Sequence, residues 1–144
     1  TRSLAVSVAP RTDGQLSRAY VGADLLLGLP NDYPAQEPRL NLRNVFGLRD
    51  SRRQQLLDHL RREARGLVGD VMLCSLCEAA ISWLDNNNWP DGVCTFCLER
   101  LFDDSSGVAD LVRLPCNHYF HSGCWWGWWR WQQGQYKAAE QQLV

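Results

Sequence analysis

The sequence predicts an α+β domain in which two helices cover one face of a small antiparallel sheet. Residues 4–9, 20–29 and 39–45 have the extended, alternating apolar and polar character of half-buried strands. From Asp50 the apolar period changes to that of a helix, and a second helical pattern follows it. Strands first and helices afterwards are typical of an α+β layer.

Each predicted helix carries one apolar stripe, which indicates the face that is buried. In the first helix, spacings of three and four residues select Leu56, Leu60, Ala64 and Leu67. In the second helix, the predicted stripe consists of Val71, Cys74, Cys77, Ile81 and Leu84. The polar and Pro/Gly-rich residues 86–92 end this helix and mark the predicted domain boundary.

Two stretches between the strands have the composition of turns. Residues 10–14, with the sequence PRTDG, predict a hairpin turn between the first and second strands. Residues 33–38 contain two prolines, each of which fixes its own φ angle and restrains the residue before it. We expect a rigid, non-helical corner between the second and third strands.

The composition argues against several classes of protein. A chain of 144 residues with 45% hydrophobic content can bury a core, so it is not disordered throughout. No apolar run approaches the roughly 18 residues that a membrane-spanning helix needs. A formal net charge of -1 offers no general attraction for nucleic acid, and the arginines of residues 52–65 fit the solvated face of a helix. We therefore expect neither a membrane nor a nucleic-acid partner.

Six cysteine and histidine residues are concentrated after the predicted domain boundary. A C-x2-C pair is separated by eighteen residues from a C-x-H-x2-H-x2-C run, and together they comprise Cys94, Cys97, Cys116, His118, His121 and Cys124. A C-x2-C pair places two thiolates on one tight turn, and zinc prefers four sulfur or nitrogen ligands in a tetrahedron. Because six ligands exceed the needs of one ion, the sequence predicts two zinc sites. The absence of a secretory signal favours metal over disulfides.

A second grouping of the cysteines stays open. Sixteen residues separate the pair Cys74 and Cys77 from the pair Cys94 and Cys97. Two C-x2-C pairs at this distance have the spacing of a zinc ribbon. However, Cys74 and Cys77 continue an apolar stripe, in which free cysteine behaves as a small buried side chain. A ribbon that binds nucleic acid would also need a basic face, which this composition does not offer. A catalytic cysteine is disfavoured because nucleophile–histidine pairs rarely come as six clustered ligands.

The ligand spacing resembles the first six ligands of a cross-brace RING-H2 zinc finger, in which ligand pairs alternate between two ions. By position, the resemblance assigns Cys94, Cys97, His121 and Cys124 to the first zinc, and Cys116 and His118 to the second. The family's closing C-x2-C does not occur in the 20 residues after Cys124. The resemblance implies a RING finger over residues 94–144 that lacks its last two ligands, ends in a spacer helix and fully coordinates at most one zinc.

The first part of the chain resembles RWD domains. Tyr33, Pro34 and Pro38 form a corner similar to the family's YPxxxP signature, after one strand and before another strand and two helices. RWD domains have the fold of ubiquitin-conjugating enzymes without the catalytic cysteine, and they serve as protein-interaction modules. The resemblance implies an RWD-like domain over residues 1–88 from which the family's first helix is missing. We interpret Thr1 as a cut.

An RWD-like domain followed by a RING-H2 finger resembles a family of RING-type E3 ubiquitin ligases. These hold a ubiquitin-charged conjugating enzyme, the E2, beside a protein substrate, and the rate gain comes from proximity and orientation. The resemblance implies E2, ubiquitin and a protein substrate as partners, zinc as cofactor, and no catalytic residue in the chain itself. It places E2 docking at Phe96, Leu98, Pro115 and Trp128.

Two alternatives to this function stay open. Phe96 and Trp128 could pack the small core of the finger rather than contact an E2. The chain could also be a non-catalytic adaptor that binds partners through its RWD-like domain, with an incomplete RING finger. In the absence of targeting signals we expect a cytoplasmic protein with access to the nucleus.

Overall fold

The computed structural model describes residues 2–12, 18–102 and 110–142. The chain divides into two compact units, Thr1–Pro90 and Asp91–Val144. Strands β1 (Arg2–Val8), β2 (Gly22–Leu29) and β3 (Arg39–Phe46) form an antiparallel sheet in the order β1-β2-β3. Helices α1 (Asp50–Gly66) and α2 (Leu73–Asn86) complete the first unit.

The second unit is smaller and built around a short hairpin. Strands β4 (Leu111–Arg113) and β5 (Tyr119–His121) pair antiparallel, and helix α3 (Ser122–Gln142) begins directly after β5. An isolated bridge between Val93 and Arg100 closes the turn that precedes the hairpin. Within the described ranges, no helix combines the length and the apolarity that crossing a membrane requires.

The core of the first unit lies between the sheet and its two helices. Alternate residues of β2 and β3 point into it, because successive side chains of a strand face opposite sides of the sheet. The fully or almost fully buried leucines are Leu25, Leu27, Leu40 and Leu42 of the sheet and Leu56, Leu60, Leu76 and Leu84 of the helices. Each contributes about 1.5–3 kcal/mol through burial. The predicted α+β layer is confirmed.

The proline corner joins the sheet to the connection between the helices. The peptide bond between Tyr33 and Pro34 is cis. The Tyr33 hydroxyl accepts a hydrogen bond from the backbone N–H of Met72 at 3.1 Å, and the Pro34 carbonyl accepts one from Gly69 at 2.8 Å. The corner therefore fixes the point where the chain leaves α1 and enters α2.

The predicted stripe of α2 is right at Ile81 and Leu84 but wrong at Val71, Cys74 and Cys77. Val71 is 81% exposed, Cys74 is exposed and Cys77 is half-buried, whereas Leu76, Ala80 and Leu84 are fully buried. Met72, four residues before Leu76, is also fully buried. Two apolar stripes with the same period share Leu84, and the one that begins at Met72 and continues through Leu76 and Ala80 is the buried one.

The segment after β1 packs against α2 through polar contacts. The predicted hairpin turn at residues 10–14 lies partly outside the described residues, but Pro10 is buried. Arg11 donates its backbone N–H to the Asp85 carboxylate, and its guanidinium contacts Asp85 at 3.1 Å and also Glu78. Ion pairs this exposed contribute little, so they orient the segment more than they stabilise it.

Hydrogen bonds from the side chains of Asn88 and Arg52 hold the end of the first unit in place. Asn88 accepts a hydrogen bond from the Tyr20 N–H and donates one to the Arg18 carbonyl, both at 2.9 Å. Arg52 donates to the carbonyls of Asn87 and Trp89, both at 2.7 Å, and stacks over the Trp89 ring at 4.6 Å. The chain after α2 is thereby tied to α1 and to the entry of β2.

Replacement of Asn88 by alanine should destabilise the first unit by about 1–3 kcal/mol. The change leaves the Tyr20 N–H and the Arg18 carbonyl without their side-chain partner. Asn86, two residues earlier, is exposed at the end of α2, so Asn86→Ala should change stability by less than about 0.5 kcal/mol. Urea unfolding followed by circular dichroism measures both; equal effects of the two variants would contradict the role given to Asn88.

Candidate metal centre

The first ligand pair lies on a tight turn at the start of the second unit. The Cys94 N–H donates to the Glu99 carbonyl at 2.9 Å, and the Leu98 N–H donates to the Cys94 carbonyl at 2.8 Å. Leu98 has a positive φ of 63°, a left-handed conformation that turns the chain sharply after Cys97. Both thiols of the pair consequently lie on the same side of the turn.

The second ligand segment follows β4 and runs into α3. Between β4 and β5 the Asn117 N–H donates to the Leu114 carbonyl at 2.8 Å, and the Leu114 N–H to the His118 carbonyl at 2.9 Å. Asn117 also has a positive φ, of 64°. His121 ends β5 and Cys124 lies in the first turn of α3, so three residues of separation place both side chains together.

The structure brings four of the predicted ligands into one group. The ligand atoms of Cys94, Cys97, His121 and Cys124 all lie within 4.8 Å of one another. The Nδ1 atom of His121 is 3.3 Å from the Cys97 sulfur and 4.0 Å from the Cys124 sulfur. Zinc bond lengths of about 2.3 Å to sulfur and 2.0 Å to nitrogen imply ligand separations of roughly 3.5–3.8 Å in a tetrahedron. This donor set therefore fits one zinc ion.

The orientation of His121 favours metal binding through Nδ1. Its Nε2 atom lies 3.0 Å from the Arg100 carbonyl oxygen, which can only accept a hydrogen bond. Nε2 therefore carries the hydrogen, and the lone pair of Nδ1 faces the thiols. A backbone carbonyl that fixes the tautomer in this way is a usual neighbour of a metal-binding histidine.

Burial and hydrogen bonds shift the pKa values of two thiols of the group in opposite directions. Burial raises the pKa of Cys94, but the opposing hydrogen bonds from the backbone of His121, Cys97 and Phe96 and from Cys124 lower it to about 6. Burial, followed by interaction with Cys94 and Cys97, raises the pKa of Cys124 to about 11. Three thiolates this close cannot all ionise without a cation, whereas a metal ion would hold all of them in the charged form.

Cys116 and His118 form a separate pair. The Cys116 sulfur lies 3.4 Å from His118 Nδ1, and both residues are exposed. In the sequence they fall between the two halves of the four-ligand group, but they are not members of it. They offer two ligands for a second ion.

The zinc-ribbon grouping finds no support in this geometry. Cys94 and Cys97 share their site with His121 and Cys124, and Cys74 and Cys77 lie on α2 in the first unit. Cys74 was expected to be a small buried side chain of α2, and this expectation is wrong, because Cys74 is exposed. Burial, and then the charges of Cys74 and Glu78, raise the pKa of Cys77, which disfavours its thiolate as a metal ligand.

Aromatic rings pack beside the four-ligand group. Phe96, which lies between Cys94 and Cys97, is 5.1 Å from Phe120 and 6.0 Å from Trp128, measured between ring centroids. Trp125 joins the cluster at 5.4 Å from Phe120 and 5.5 Å from Trp128. The sequence predicts a role in docking or packing for Phe96 and Trp128 but not for Phe120 and Trp125. The positions of Phe120 and Trp125, directly beside His121 and Cys124, would have indicated that they pack here as well.

The four residues predicted to contact an E2 differ in exposure. Phe96 is 42% exposed and Leu98 is 74% exposed, while Trp128 is half-buried. Pro115 is also exposed, next to Cys116. Phe96 and Trp128 thus pack against each other, as the core interpretation expects, yet Phe96 keeps enough exposed surface for a partner.

Comparisons with known proteins agree with these features. The family model of the RWD domain matches residues 1–84. The human E3 ubiquitin-protein ligase RNF25 is 32% identical over 119 residues, which make up 83% of this chain and 25% of the relative. RNF25 from Danio rerio is 33% identical over 115 residues, 80% of this chain and 22% of the relative. The chain thus spans about a quarter of the length of these relatives.

A solved structure supports the fold assignment. The solution structure of the RWD domain of mouse GCN2 is similar with a TM-score of 0.56 and 27% identity, covering 60% of this chain and 62% of that chain. The predicted RWD-like fold class, that of ubiquitin-conjugating enzymes, is confirmed. The Cys/His group after this domain is compatible with a truncated RING finger. The chain belongs to the RWD-domain family and is homologous to the E3 ubiquitin-protein ligase RNF25.

Proposed function

We propose that this protein is a RING-type E3 ubiquitin ligase that recruits a ubiquitin-charged E2 and promotes transfer of ubiquitin to a protein substrate. Residues 94–144 carry the RING finger, and residues 1–88 form an RWD domain that acts as the protein-interaction module. Relatives that match 80–83% of the chain are named E3 ubiquitin-protein ligases, which supports the proposal.

The observation that carries the proposal is the interleaving of the ligand pairs. Cys94 and Cys97 share one site with His121 and Cys124, while Cys116 and His118, which lie between them in the sequence, pair with each other. Alternation of ligand pairs between two sites is the arrangement that the cross-brace resemblance implies. A ribbon, in contrast, would join ligand pairs that are consecutive in the sequence.

We propose zinc as the ion of the four-ligand group. Three thiols and one imidazole are soft or borderline ligands, and a closed tetrahedron of four protein ligands leaves no open position for water or substrate. The ion would therefore brace the finger rather than take part in the reaction. Cys94, Cys97, His121 and Cys124 would hold it as structural ligands.

The finger needs no nucleophile of its own for this function. The bond that breaks is the thioester between the E2 and ubiquitin, and the attacking amine belongs to the substrate. The contribution of the ligase is to hold the E2 in place and to restrain the reactive geometry. Leu98 and Phe96 on the first turn supply exposed apolar surface for this contact, with Pro115 and the half-buried Trp128 as further candidates.

A non-catalytic adaptor is the second candidate function. The RWD domain has its own buried core, and the resemblance assigns only Cys116 and His118, whose ligand atoms lie 3.4 Å apart, to the second ion. An adaptor would bind its partner through the RWD domain and would leave E2–ubiquitin unaffected. The two functions therefore differ in one measurable activity.

Zinc stoichiometry tests the proposed site. Native mass spectrometry of the zinc-loaded chain should detect one tightly bound zinc per molecule, and Cys94→Ser should remove it, because one of four ligands is lost and the thiolate cluster is broken. The matched control is Cys74→Ser on the exposed face of α2, which should keep the zinc. Loss of zinc from Cys74→Ser, with zinc retained in Cys94→Ser, would replace the RING assignment with the ribbon.

E2 discharge tests the proposed activity and the docking residues. The zinc-loaded chain should accelerate the release of ubiquitin from at least one member of a panel of ubiquitin-charged E2 enzymes, with free lysine as acceptor. Leu98→Ala should lower that acceleration by about fivefold or more, as expected for the loss of a central apolar contact. The rate of ubiquitin release is followed by gel electrophoresis.

Tyr136→Ala serves as the control for this experiment. Tyr136 is 69% exposed on α3, comparable to Leu98, and belongs to no proposed docking site. Zinc content should be unchanged in both variants, because neither residue is a ligand. If no E2 in the panel is discharged faster by the zinc-loaded chain, the adaptor function is favoured instead.

A further inference from the structure

The sheet of the first unit has a face that the helices do not cover. The helices bury one alternating set of side chains, so the other set points outward. We call this second set the outer sheet face. Cross-strand pairing arranges it in three rows: Ser3–Gly28–Arg39, Ala5–Leu26–Asn41 and Ser7–Asp24–Arg43.

An open groove of about 620 Å³ lies over the first two rows. Its lining combines a small apolar floor, including Ala5 and Leu26, with the guanidinium-bearing residues Arg39, Arg43 and Arg61. Among the described residues that line it, none is acidic. The groove therefore joins apolar surface to a concentration of positive charge, in a chain whose formal net charge is -1.

Two carboxylates, Asp24 and Asp58, lie near these cations but do not line the groove. Asp24 accepts hydrogen bonds from Ser7 at 2.8 Å and Asn44 at 2.9 Å; these bonds, Asn44 first, lower its pKa, with a further effect from the charge of Arg43. Asp58 lies 3.7 Å from Arg61, but both side chains are largely exposed, and such pairs are weak in water. An anionic ligand would compete with these contacts for Arg43 and Arg61.

The spacing of the cations matches an extended chain. Arg39 and Arg43 are both on β3, four residues apart, with Asn41 between them on the same face. At about 3.3 Å per residue, their Cα atoms are separated by roughly 13 Å along the strand. A peptide in extended conformation has the same repeat, so its side chains at positions i and i+4 meet Arg39 and Arg43, while position i+2 faces Leu26 and Asn41.

We propose that the outer sheet face binds an extended acidic peptide lying along β3, with acidic residues four apart against Arg39 and Arg43 and an apolar residue midway against Leu26. The inference rests on the proposed function: it specifies which surface of the RWD domain acts as the interaction module and what kind of partner it binds. No residue of the metal centre takes part. Because the contacts are exposed ion pairs, the complex is salt-sensitive and its specificity depends on the spacing of the charges.

Nuclear magnetic resonance of the isotope-labelled, zinc-loaded chain tests the proposal. The probe is a capped peptide, Gly-Ser-Glu-Ser-Leu-Ser-Glu-Ser-Gly, which carries glutamates four residues apart with leucine between. Addition of the peptide should shift amide signals in the three rows, and a peptide of the same composition with adjacent glutamates should bind several-fold more weakly. Raising the salt concentration from 50 to 500 mM should weaken binding of the first peptide, because the Debye length falls from about 14 to about 4 Å.

A charge-reversal pair tests the role of the groove. Arg43→Glu should weaken binding of the peptide by about five- to tenfold, because an attractive contact becomes repulsive. Arg62→Glu makes the same change in net charge at an exposed position of α1 that does not line the groove, and it should weaken binding less than about twofold. Zinc content and E2 discharge of Arg43→Glu should equal those of the unmodified chain, which separates this result from any failure of the ligase function.

Four results would overturn the proposal. The first is peptide-induced shifts outside the three rows, and the second is equal weakening by Arg43→Glu and Arg62→Glu. The third is that the glutamate peptide does not bind, whereas the same peptide with phosphoserines in place of the glutamates does. This result would assign the groove to phosphorylated partners. Concentration-dependent broadening of the row signals without peptide would assign it instead to a second copy of the chain.

Discussion

The convergence of three thiols and one imidazole within 4.8 Å is the constraint on which the second unit depends. Against the opposing effect of burial, backbone hydrogen bonds lower the pKa of Cys94 to about 6, whereas burial and then the neighbouring thiols raise that of Cys124 to about 11. Only Cys94, Leu101 and Leu111 are buried among the described residues of this unit. Because so little apolar surface is removed from water, a metal ion that joins the two turns and α3 would supply most of the folding free energy.

The first unit is stabilised in a different way. Buried leucines of the sheet, of α1 and of α2 pack together in one core, so the hydrophobic effect is the main force that stabilises this unit. Polar contacts then fix the connections: Tyr33 and Pro34 hold the passage from α1 to α2, and Asn88 holds the entry of β2. The corner at Tyr33 and Pro34 is therefore tied to the helical layer by hydrogen bonds as well as by the chain.

Much of this architecture follows from local sequence patterns, and the exceptions have physical causes. The stripe of α1 was predictable because Leu56, Leu60 and Ala64 recur at helical spacing and, apart from the buried Leu57, the other positions of this helix are mostly polar. In α2 almost every position near Val71–Leu84 is apolar or small, so periodicity does not distinguish two neighbouring faces, and only the sheet decides between them. The four Cys/His residues that lie together were predictable as a group from spacing, whereas the Arg100 carbonyl beside His121 was not, because a backbone group has no side-chain signature.

The two proposed interactions rest on forces that respond to different conditions. Docking at Phe96 and Leu98 is apolar and requires an ordered first turn, so it depends on the metal and only weakly on salt. Binding along β3 depends on Arg39 and Arg43, exposed cations on a sheet that folds through its own core, so it depends on salt and not on the metal. A chelator and an increase in ionic strength would therefore remove one interaction each. The proposed capture of a partner and the proposed delivery of ubiquitin can therefore be abolished separately.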